Sequence, residues 1–433
     1  MRFPALLPCL LLSFSAVAGQ ADSTKGLTLR KAVALALANH PSLRSADAQL
    51  RAADAGLTQA LSSYFPSLTA SATASRTDGA FVFNPSFPPR NQTFNSYSTA
   101  FNLTQMLYDF GRTSGKVSAN NDFVDAASLD AQSIRDLVIV NVQVAYFGLL
   151  RAQRVLIVNR QAMDQATRHL AQAQAFYKVG RRHLFDVTKA EVDVANGTVN
   201  LLRAENDVQV ATVQLTNAMG TFSERSFLMG DTLGIPLVTL TLDSVKEIAQ
   251  RERPDLRSAR TRVSANRALA SSLWSQHLPT LSAFGTWTWS NFDFPLFSRW
   301  NAGVTLTLPL FQGFSIAGQV EQAEANADLA QATADLMAQS ILLEVEHSYL
   351  SLKEAEKRIG ATEKLVEQAQ QNLTLAEKQY AAGIGTPLET TDAQLTLSNA
   401  QITNILGLYD YNVSLARLNR AMGRIQERST GIE

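Results

Sequence analysis

The sequence predicts a mainly α-helical protein made by tandem duplication, in which each copy joins a β-hairpin to a long antiparallel helical hairpin. Three observations predict this. Segments recur at a fixed spacing along the 433 residues. Two long proline-free stretches carry a seven-residue apolar repeat. Ahead of each stretch lie two segments of about ten residues in which apolar and polar side chains alternate.

The recurrence is literal in places. His40-Pro41-Ser42-Leu43-Arg44-Ser45-Ala46 returns as Arg253-Pro254-Asp255-Leu256-Arg257-Ser258-Ala259, and Pro66-Ser67-Leu68 returns as Pro279-Thr280-Leu281, both offset by 213 positions. Tyr146 then meets Tyr349, Tyr177 meets Tyr380, Gly180 meets Gly383 and Ala218-Met219-Gly220 meets Ala421-Met422-Gly423, all offset by 203. The slip falls between Arg76 and Leu103, so the extra residues occupy a loop of the first copy near Phe83-Asn84-Pro85-Ser86-Phe87-Pro88-Pro89. The expected organisation is therefore repeat 1 over 22–226 and repeat 2 over 227–433. Each holds a short helix, then a β-hairpin (68–107 and 281–310), then a long helical hairpin (112–220 and 315–423).

Residues 1–21 read as a secretory signal peptide, with Arg2 before an apolar run through Leu12 and small residues at Ala16-Val17-Ala18. The mature chain is expected to begin between Gly19 and Asp22. The single cysteine, Cys9, lies inside this segment and lacks the small-residue approach of a lipid-attachment site. The mature protein then has no cysteine, and neither a disulfide framework nor a thiolate metal site is available. No later run reaches the ~18 uncharged apolar residues of a membrane helix. The 38 basic and 38 acidic residues balance, which gives no reason to expect a nucleic-acid surface.

The proline-free stretches Arg112 to Tyr177 and Ser315 to Tyr380 would each span roughly 100 Å as a helix. In the second, one heptad position reads Val345, Leu352, Ile359, Val366, Leu373, Tyr380 and its partner reads Ser348, Ala355, Thr362, Ala369, Ala376. The first gives Val142, Leu149, Leu156, Met163, Leu170, Tyr177 with Ala145, Ala152, Asn159, Ala166, Ala173 between. The helices that follow keep small residues at the same spacing: Ala190, Gly197, Ala204, Ala211, Ala218, and Ala393, Ala400, Gly407, Ser414, Ala421. An apolar heptad pairs helices with a left-handed supercoil, and a small residue at every second seam position lets the backbones approach closely. The turns fall at Val179-Gly180-Arg181-Arg182-His183 and Ala382-Gly383-Ile384-Gly385-Thr386. Gly180 and Gly383 stand where a left-handed helix cap is wanted. Thr386-Pro387-Leu388-Glu389 restarts the helix as a capping box, with Asp186 at the equivalent first-turn position of copy one.

In the alternating segments, Leu68, Ala70, Ala72, Ala74 and Tyr97, Thr99, Phe101, Leu103 share one face, opposite an uncharged polar face. In copy two, Ala283, Gly285, Trp287, Trp289 and Ala302, Val304, Leu306, Leu308 do the same, with Phe284 breaking the pattern. Together with the aromatics Trp287, Trp289, Trp300, Phe292 and Phe297 as membrane-interface residues, this fits an outer-membrane barrel. Four strands cannot close one, because about eight is the smallest barrel and lipid tolerates no open edge. Several chains must then share a barrel: two would give eight strands and three would give twelve.

A signal peptide, two copies of helix, hairpin and long helical hairpin, and Tyr-x-x-Gly at each helix turn resemble the TolC-like outer-membrane efflux protein family. The likeness runs from Leu27 to Gly423. It is most specific at Ala36-Leu37-Ala38-Asn39-His40-Pro41 and from Tyr380 through Gln394. The resemblance implies a homotrimer in the outer membrane of a Gram-negative bacterium. Its shared 12-stranded transmembrane β-barrel would continue into an α-barrel tunnel across the periplasm. It also implies docking, at the tips Val179, Gly180, Leu184, Gly383, Ile384, Gly385 and Leu388, to a periplasmic adaptor and an inner-membrane pump or ABC exporter. In the family's prototype two acidic residues narrow the periplasmic end, and they fall at Glu389 and Asp392. The prototype's closing ion pair joins an Asp, matched by Asp186, to an Arg, whose position is Gly385 here. Arg181 or Arg182 is left as the available substitute in the gate.

An enzyme is not expected. The five histidines show no metal-ligand spacing, and no phosphate loop or nucleophile elbow is present, so no cofactor is expected. The expected function is passive conduction of small molecules, drugs or metals handed over by the pump. The alternatives are a type I protein-secretion duct of the same fold and, from another class, an adhesive coiled-coil surface trimer.

Overall fold

The computed structural model describes residues 26–81, 90–221, 227, 229–230, 233–236 and 240–425. The segment 1–21 expected to be a signal peptide, with Cys9, and the expected loop 83–89 lie outside the described residues. Repeat 1 runs α1 (Leu29–Asn39), α2 (Pro41–Leu61), β1 (Ser67–Phe81), β2 (Arg90–Tyr108), α3 (Arg112–Lys178) and α4 (Leu184–Ala218). Repeat 2 follows with α5 (Leu242–Glu252), α6 (Pro254–Trp274), β3 (Thr280–Asn291), β4 (Phe297–Thr307), α7 (Ser315–Ala381) and α8 (Pro387–Ala421).

Each copy opens with two helices, not with the one short helix expected. Pro41 and Pro254 sit at the first helical position, and the residues before them are held extended, His40 with ψ 126° and Arg253 with ψ 120°. A proline ring disfavours helical backbone at the preceding residue, so the helix breaks there. The returning chain packs against this break. A Cβ on Gly220 (φ +67°) would lie 2.7 Å from His40 Cα, and one on Gly423 (φ +74°) would lie 3.0 Å from Arg253 Cα. This is the physical reason for the repeated Ala-Met-Gly: Met219 and Met422 are buried and the glycines turn the chain beside the helix break.

Helices α3 and α7 are 67 residues each, about 100 Å long. On the strand-side half, α6 packs between α3 and α7, and α2 flanks α3. On the other half, α8 packs between α3 and α7, and α4 flanks α3. The chain is thus a layer four helices wide along its whole length. In the α7–α8 seam Val345, Leu352, Ile359, Leu373 and Tyr380 are buried, with Ser348, Ala355, Thr362, Ala369 and Ala376 between them. The α3–α4 seam is covered less well. Leu156, Met163 and Leu170 are half-buried, and Tyr177 is 46% exposed where Tyr380 is 5%. Helix α8 lies between two long helices, whereas α4 is the outermost element and covers its seam from one side.

Helix α3 contains an 18-residue window of mean hydropathy 1.4, long and apolar enough for a membrane helix where the sequence reading expects none. Its apolar side chains have another place. Val138, Ile139, Val142, Leu149 and Leu150 are buried in one cluster with Ala32, Val33, Leu215 and Met219 of α1 and the end of α4. The same belt is anchored twice by tyrosine: Tyr146 donates to the Leu27 carbonyl at 2.9 Å and Tyr349 to that of Leu240 at 3.3 Å.

The four strands form one antiparallel sheet in the order β1-β2-β3-β4. One cross-strand row reads Ala70, Phe101, Trp287, Trp300 and the next reads Thr69, Asn102, Thr286, Asn301. One face is therefore mainly apolar and the other mainly polar, with Arg299 opposite Thr288 on the second and Arg76 and Asp78 beyond Ala74 on the first. Phe284, the exception, lies over Gly303, where a Cβ would be 2.9 Å from its ring.

Among the described residues, ion pairs are concentrated in repeat 2. Arg253, 6% exposed, pairs with Asp255 at 2.7 Å and Glu344 at 2.5 Å, and Arg420 reaches Glu344 at 3.3 Å. Burial works against the Arg253 cation, but hydrogen bonds and charge from Asp255 and Glu344 outweigh it and raise its pKa. The matching residues of repeat 1 are His40, Ser42, Asn141 and Asn217, and there a cleft of about 320 Å³ remains.

Asp136 on α3 is 4% exposed and its Oδ1 has no hydrogen-bond partner. Burial pushes its carboxyl up to about 6, against the pull of Arg135 and Arg420. A carboxyl raised in the folded state stabilises the fold least when ionised. The penalty is absent below pH ~4, grows between pH ~4 and 6, and is complete above, at roughly 3 kcal/mol. Asp136→Asn is therefore expected to raise the apparent Tm at pH 7.5 and to change it little at pH 4, as read by circular dichroism in detergent.

Candidate gate and docking tips

Both helix turns end α3 and α7 in the same way. Arg181 N–H donates to Phe176 O at 3.0 Å and Gly180 N–H to Tyr177 O at 3.0 Å; Ile384 N–H donates to Gln379 O and Gly383 N–H to Tyr380 O, both at 3.1 Å. This double bond pattern requires a left-handed residue at the cap, and Gly180 (φ +73°) and Gly383 (φ +81°) supply it with open space around them. Gly385 is required for a different reason. A Cβ there would lie 3.0 Å from Tyr380 N and 3.1 Å from Gln379 C, both backbone atoms. A side chain here, such as the arginine of the family's prototype, would press on the backbone of this turn.

The bridge between the two turns comes from Arg182. Its guanidinium donates to the Gly385 carbonyl at 3.1 Å and lies 5.2 Å above the Tyr380 ring. Residues 182 and 385 are repeat counterparts, so one turn grips its own duplicate through a charged hydrogen bond and a cation–π contact. Asp186, half-buried in the first turn of α4, acts on the same phenol: burial raises the Tyr380 pKa, Arg182 lowers it and Asp186 raises it. Arg181 is exposed.

Glu389 and Asp392 lie on α8 within one turn of each other but differ in engagement. The Glu389 carboxylate accepts the Thr386 N–H at 2.9 Å while Thr386 Oγ1 accepts the Glu389 N–H at 3.3 Å. This closed capping box occupies one carboxylate oxygen. Asp392 takes no part in it. Its repeat counterpart is Lys189, whose ammonium pairs with Asp193 at 2.6 Å.

The tip surface is apolar: Val179, Leu184, Ile384 and Leu388 are 58–82% exposed. Phe185, 75% exposed beside Leu184, escapes the sequence reading, because its place one residue after a helix start carries no periodic signal. At the other end, Trp287 stacks on Trp289 at 5.4 Å and Trp300 is 77% exposed on the apolar face. Phe297 pairs with Ser290 in a polar row, and Phe292 lies beyond β3, edge-on to Phe94. A second aromatic set at the strand–helix junctions also escapes it. Tyr108 packs on Phe110 and Phe311 on Phe314, with Phe110 and Phe314 in left-handed backbone at φ 53° and 65°. The available signal is an aromatic beside a glycine just before each long helix.

Among the described residues no three His, Cys, Asp or Glu side chains gather as a metal site. What the structure assembles is a duct wall: a sheet with one apolar face, continued by a long helical layer that ends in glycine-capped tips.

This defines a chain of an outer-membrane channel-tunnel. Residues 32–221 and 246–424 match the family described as Outer membrane efflux protein, and the chain belongs to that family, whose members are passive channels and not enzymes. It is 24% identical to Outer membrane protein TolC of Escherichia coli (strain K12) over 450 residues, 98% of this chain and 87% of that one. It is 26% identical to Outer membrane protein OprJ of Pseudomonas aeruginosa over 414 residues, 91% and 84% of the two. The Campylobacter jejuni CmeC outer membrane channel superposes with a TM-score of 0.82 at 19% identity, covering 100% of this chain and 98% of that one. The protein is an outer-membrane export channel whose helical layer extends into the periplasm.

Glu389 and Asp392 have different roles in the stability of α8. Thr386→Ala is expected to cost about 1 kcal/mol through the lost cap and to speed amide hydrogen exchange in the first turn of α8. Asp392→Asn should leave that exchange unchanged.

Proposed function

We propose that three copies of this chain close one duct, with a shared twelve-stranded barrel in the outer membrane and a helical tunnel below it. Among the described residues of one chain β1 and β4 each have one paired side only, and this carries the reading. A lipid-exposed edge with unpaired N–H and C=O groups is not tolerated, so β4 of one copy must pair with β1 of the next. That contact joins two different surfaces, and a closed ring satisfies it. The helices repeat the demand. Leu329, Leu336, Leu343 and Leu350 lie one heptad apart on the outer face of α7 and are 59–71% exposed, a seam without a partner in its own chain. The number three rests on family resemblance.

The duct conducts passively. A periplasmic adaptor docks on the apolar tips around Gly180 and Gly383, and an inner-membrane pump or ABC exporter hands over small molecules, drugs or metals. Asp392 faces the periplasmic mouth and favours cations; Glu389 contributes less because its carboxylate is engaged in the cap.

Native mass spectrometry of the detergent-extracted protein should show three chains; a monodisperse monomer would overturn the shared barrel. In planar bilayers Asp392→Asn should reduce cation preference and block by multivalent cations more than Glu389→Gln does. Equal currents in all three proteins would remove Asp392 from the mouth.

A further inference from the structure

We propose that His169 is a proton-operated latch between the two helical hairpins: its neutral ring supports the tie from α3 to α7, and its protonation lets the hairpins part at the tips. The proposal rests on the duct reading only for its consequence, the opening of the periplasmic mouth.

A cleft of about 250 Å³ runs between α3, α4 and α8 just above the turns, with Tyr380 at its end. Besides Arg182, two side-chain bonds join the hairpins here. Gln165 of α3 donates to Glu377 of α7 at 2.6 Å, and Thr391 of α8 donates to Asp193 of α4 at 3.2 Å. His169 lies among them, half-buried, with its Nε2 3.3 Å from the Gln165 amide nitrogen.

The orientation of that amide is fixed by its other partners. Arg168 donates to the Gln165 oxygen at 3.1 and 2.5 Å, so the nitrogen faces both Glu377 and His169. An amide nitrogen only donates, so Nε2 must accept, and the ring must be neutral in this arrangement. A protonated ring presents N–H at both nitrogens. Donor then meets donor, and the Gln165 amide must turn away from His169, releasing Glu377.

The surrounding charges decide the direction. Glu377 on α7 and Asp186 and Asp193 on α4 attract an imidazolium. Lys189 on α4 and Arg168 on its own helix repel one. The α8 wall, with Pro387, Thr390, Thr391 and Gln394, is uncharged. Burial is the largest influence and Arg168 adds to it, so the His169 pKa is held below its ordinary 6.5 despite Glu377 and Asp193. A tied cleft thus binds the proton more weakly than a parted, hydrated one. By linkage, acid shifts the population toward the parted form. Above pH 6.5 both forms are neutral and nothing shifts. Below it the parted population rises with acidity until the tied form also protonates. The repeat counterparts of His169 and Glu377 are Asn372 and Gln174, neither of which titrates, so the device occurs once per chain.

The test uses full-length protein in detergent with spin labels at exposed Ala175 on α3 and Lys378 on α7, each replaced by Cys. Labelled chains are mixed with excess unlabelled chains so that each assembly carries one pair. Dipolar distances should lengthen between pH 7.5 and pH 5.0 in the otherwise wild-type chain. They should stay short in His169→Gln, which keeps an acceptor but cannot titrate, and long at both pH values in His169→Arg. Circular dichroism should show unchanged helix content throughout. Distances that do not respond to pH, or that respond equally in His169→Gln, overturn the latch. The distance lies within one chain, so either result stands whether or not the protein forms a conducting trimer.

Discussion

Strands β1 and β4 each present a row of backbone N–H and C=O groups with no partner among the described residues. In water such edges can be solvated; in hydrocarbon each unpaired group costs several kcal/mol. This constraint reaches the whole molecule. Once edge strands of neighbouring copies pair, the chain count fixes the circumference of the barrel, and the helices that grow from the strand ends must match it. Neighbouring strands lie about 4.8 Å apart and packed helices about 8–10 Å apart. Four of each cross every chain. Strand tilt widens the sheet around the circumference, and the small-residue seams hold helices near the lower limit. At Gly407 the separation is visible: a Cβ there would sit 3.7 Å from Thr362 Oγ1 on the facing helix.

The two repeats have kept the parts that this geometry demands and diverged elsewhere. The proline break, the glycine that packs on it, the tyrosine anchors and the left-handed tips are preserved in both copies. Apart from the tyrosine hydroxyls they are backbone devices, and no other residue type adopts those conformations at equal cost. The ionic cluster of Arg253, Asp255, Glu344 and Arg420 exists in one copy only. A buried ion pair does not have to stabilise a fold, so its replacement by His40, Ser42, Asn141 and Asn217 leaves the frame unchanged and a cleft behind.

The fold is legible because its signals are periodic. The heptads of α3 and α7, the alternation in the strands and the constant offset between copies all survive reading without coordinates. Positions outside that periodicity are not legible. The early helix reads as one element because nothing but Pro41 interrupts its apolar pattern. Phe284 looks like an error in the strand until the register sets it over Gly303. At the tips the sequence singles out Glu389 and Arg182 but gives their roles only in outline. The capping box is local and can be read from Thr386 to Glu389. The contact from Arg182 to a carbonyl two hundred residues away cannot. His169, Gln165 and Glu377 give no signal at all, because their meeting depends on how two hairpins lie side by side.

The contact between the two turns shows how a glycine directs local chemistry. With glycine at 385 the turn folds back closely on Tyr380, where a Cβ would crowd the backbone, and the Gly385 carbonyl is reached from the other hairpin. Arg182 takes that carbonyl and the face of Tyr380 in place of a carboxylate. A cation bonded to a neutral carbonyl and a ring is less sensitive to salt than a surface ion pair, and it leaves Asp186 free to act on Tyr380. The turn-to-turn grip therefore contains no titrating partner near neutral pH. A titrating group lies in the cleft above the turns, where the half-buried His169 imidazole meets the Gln165 amide that ties α3 to Glu377 of α7.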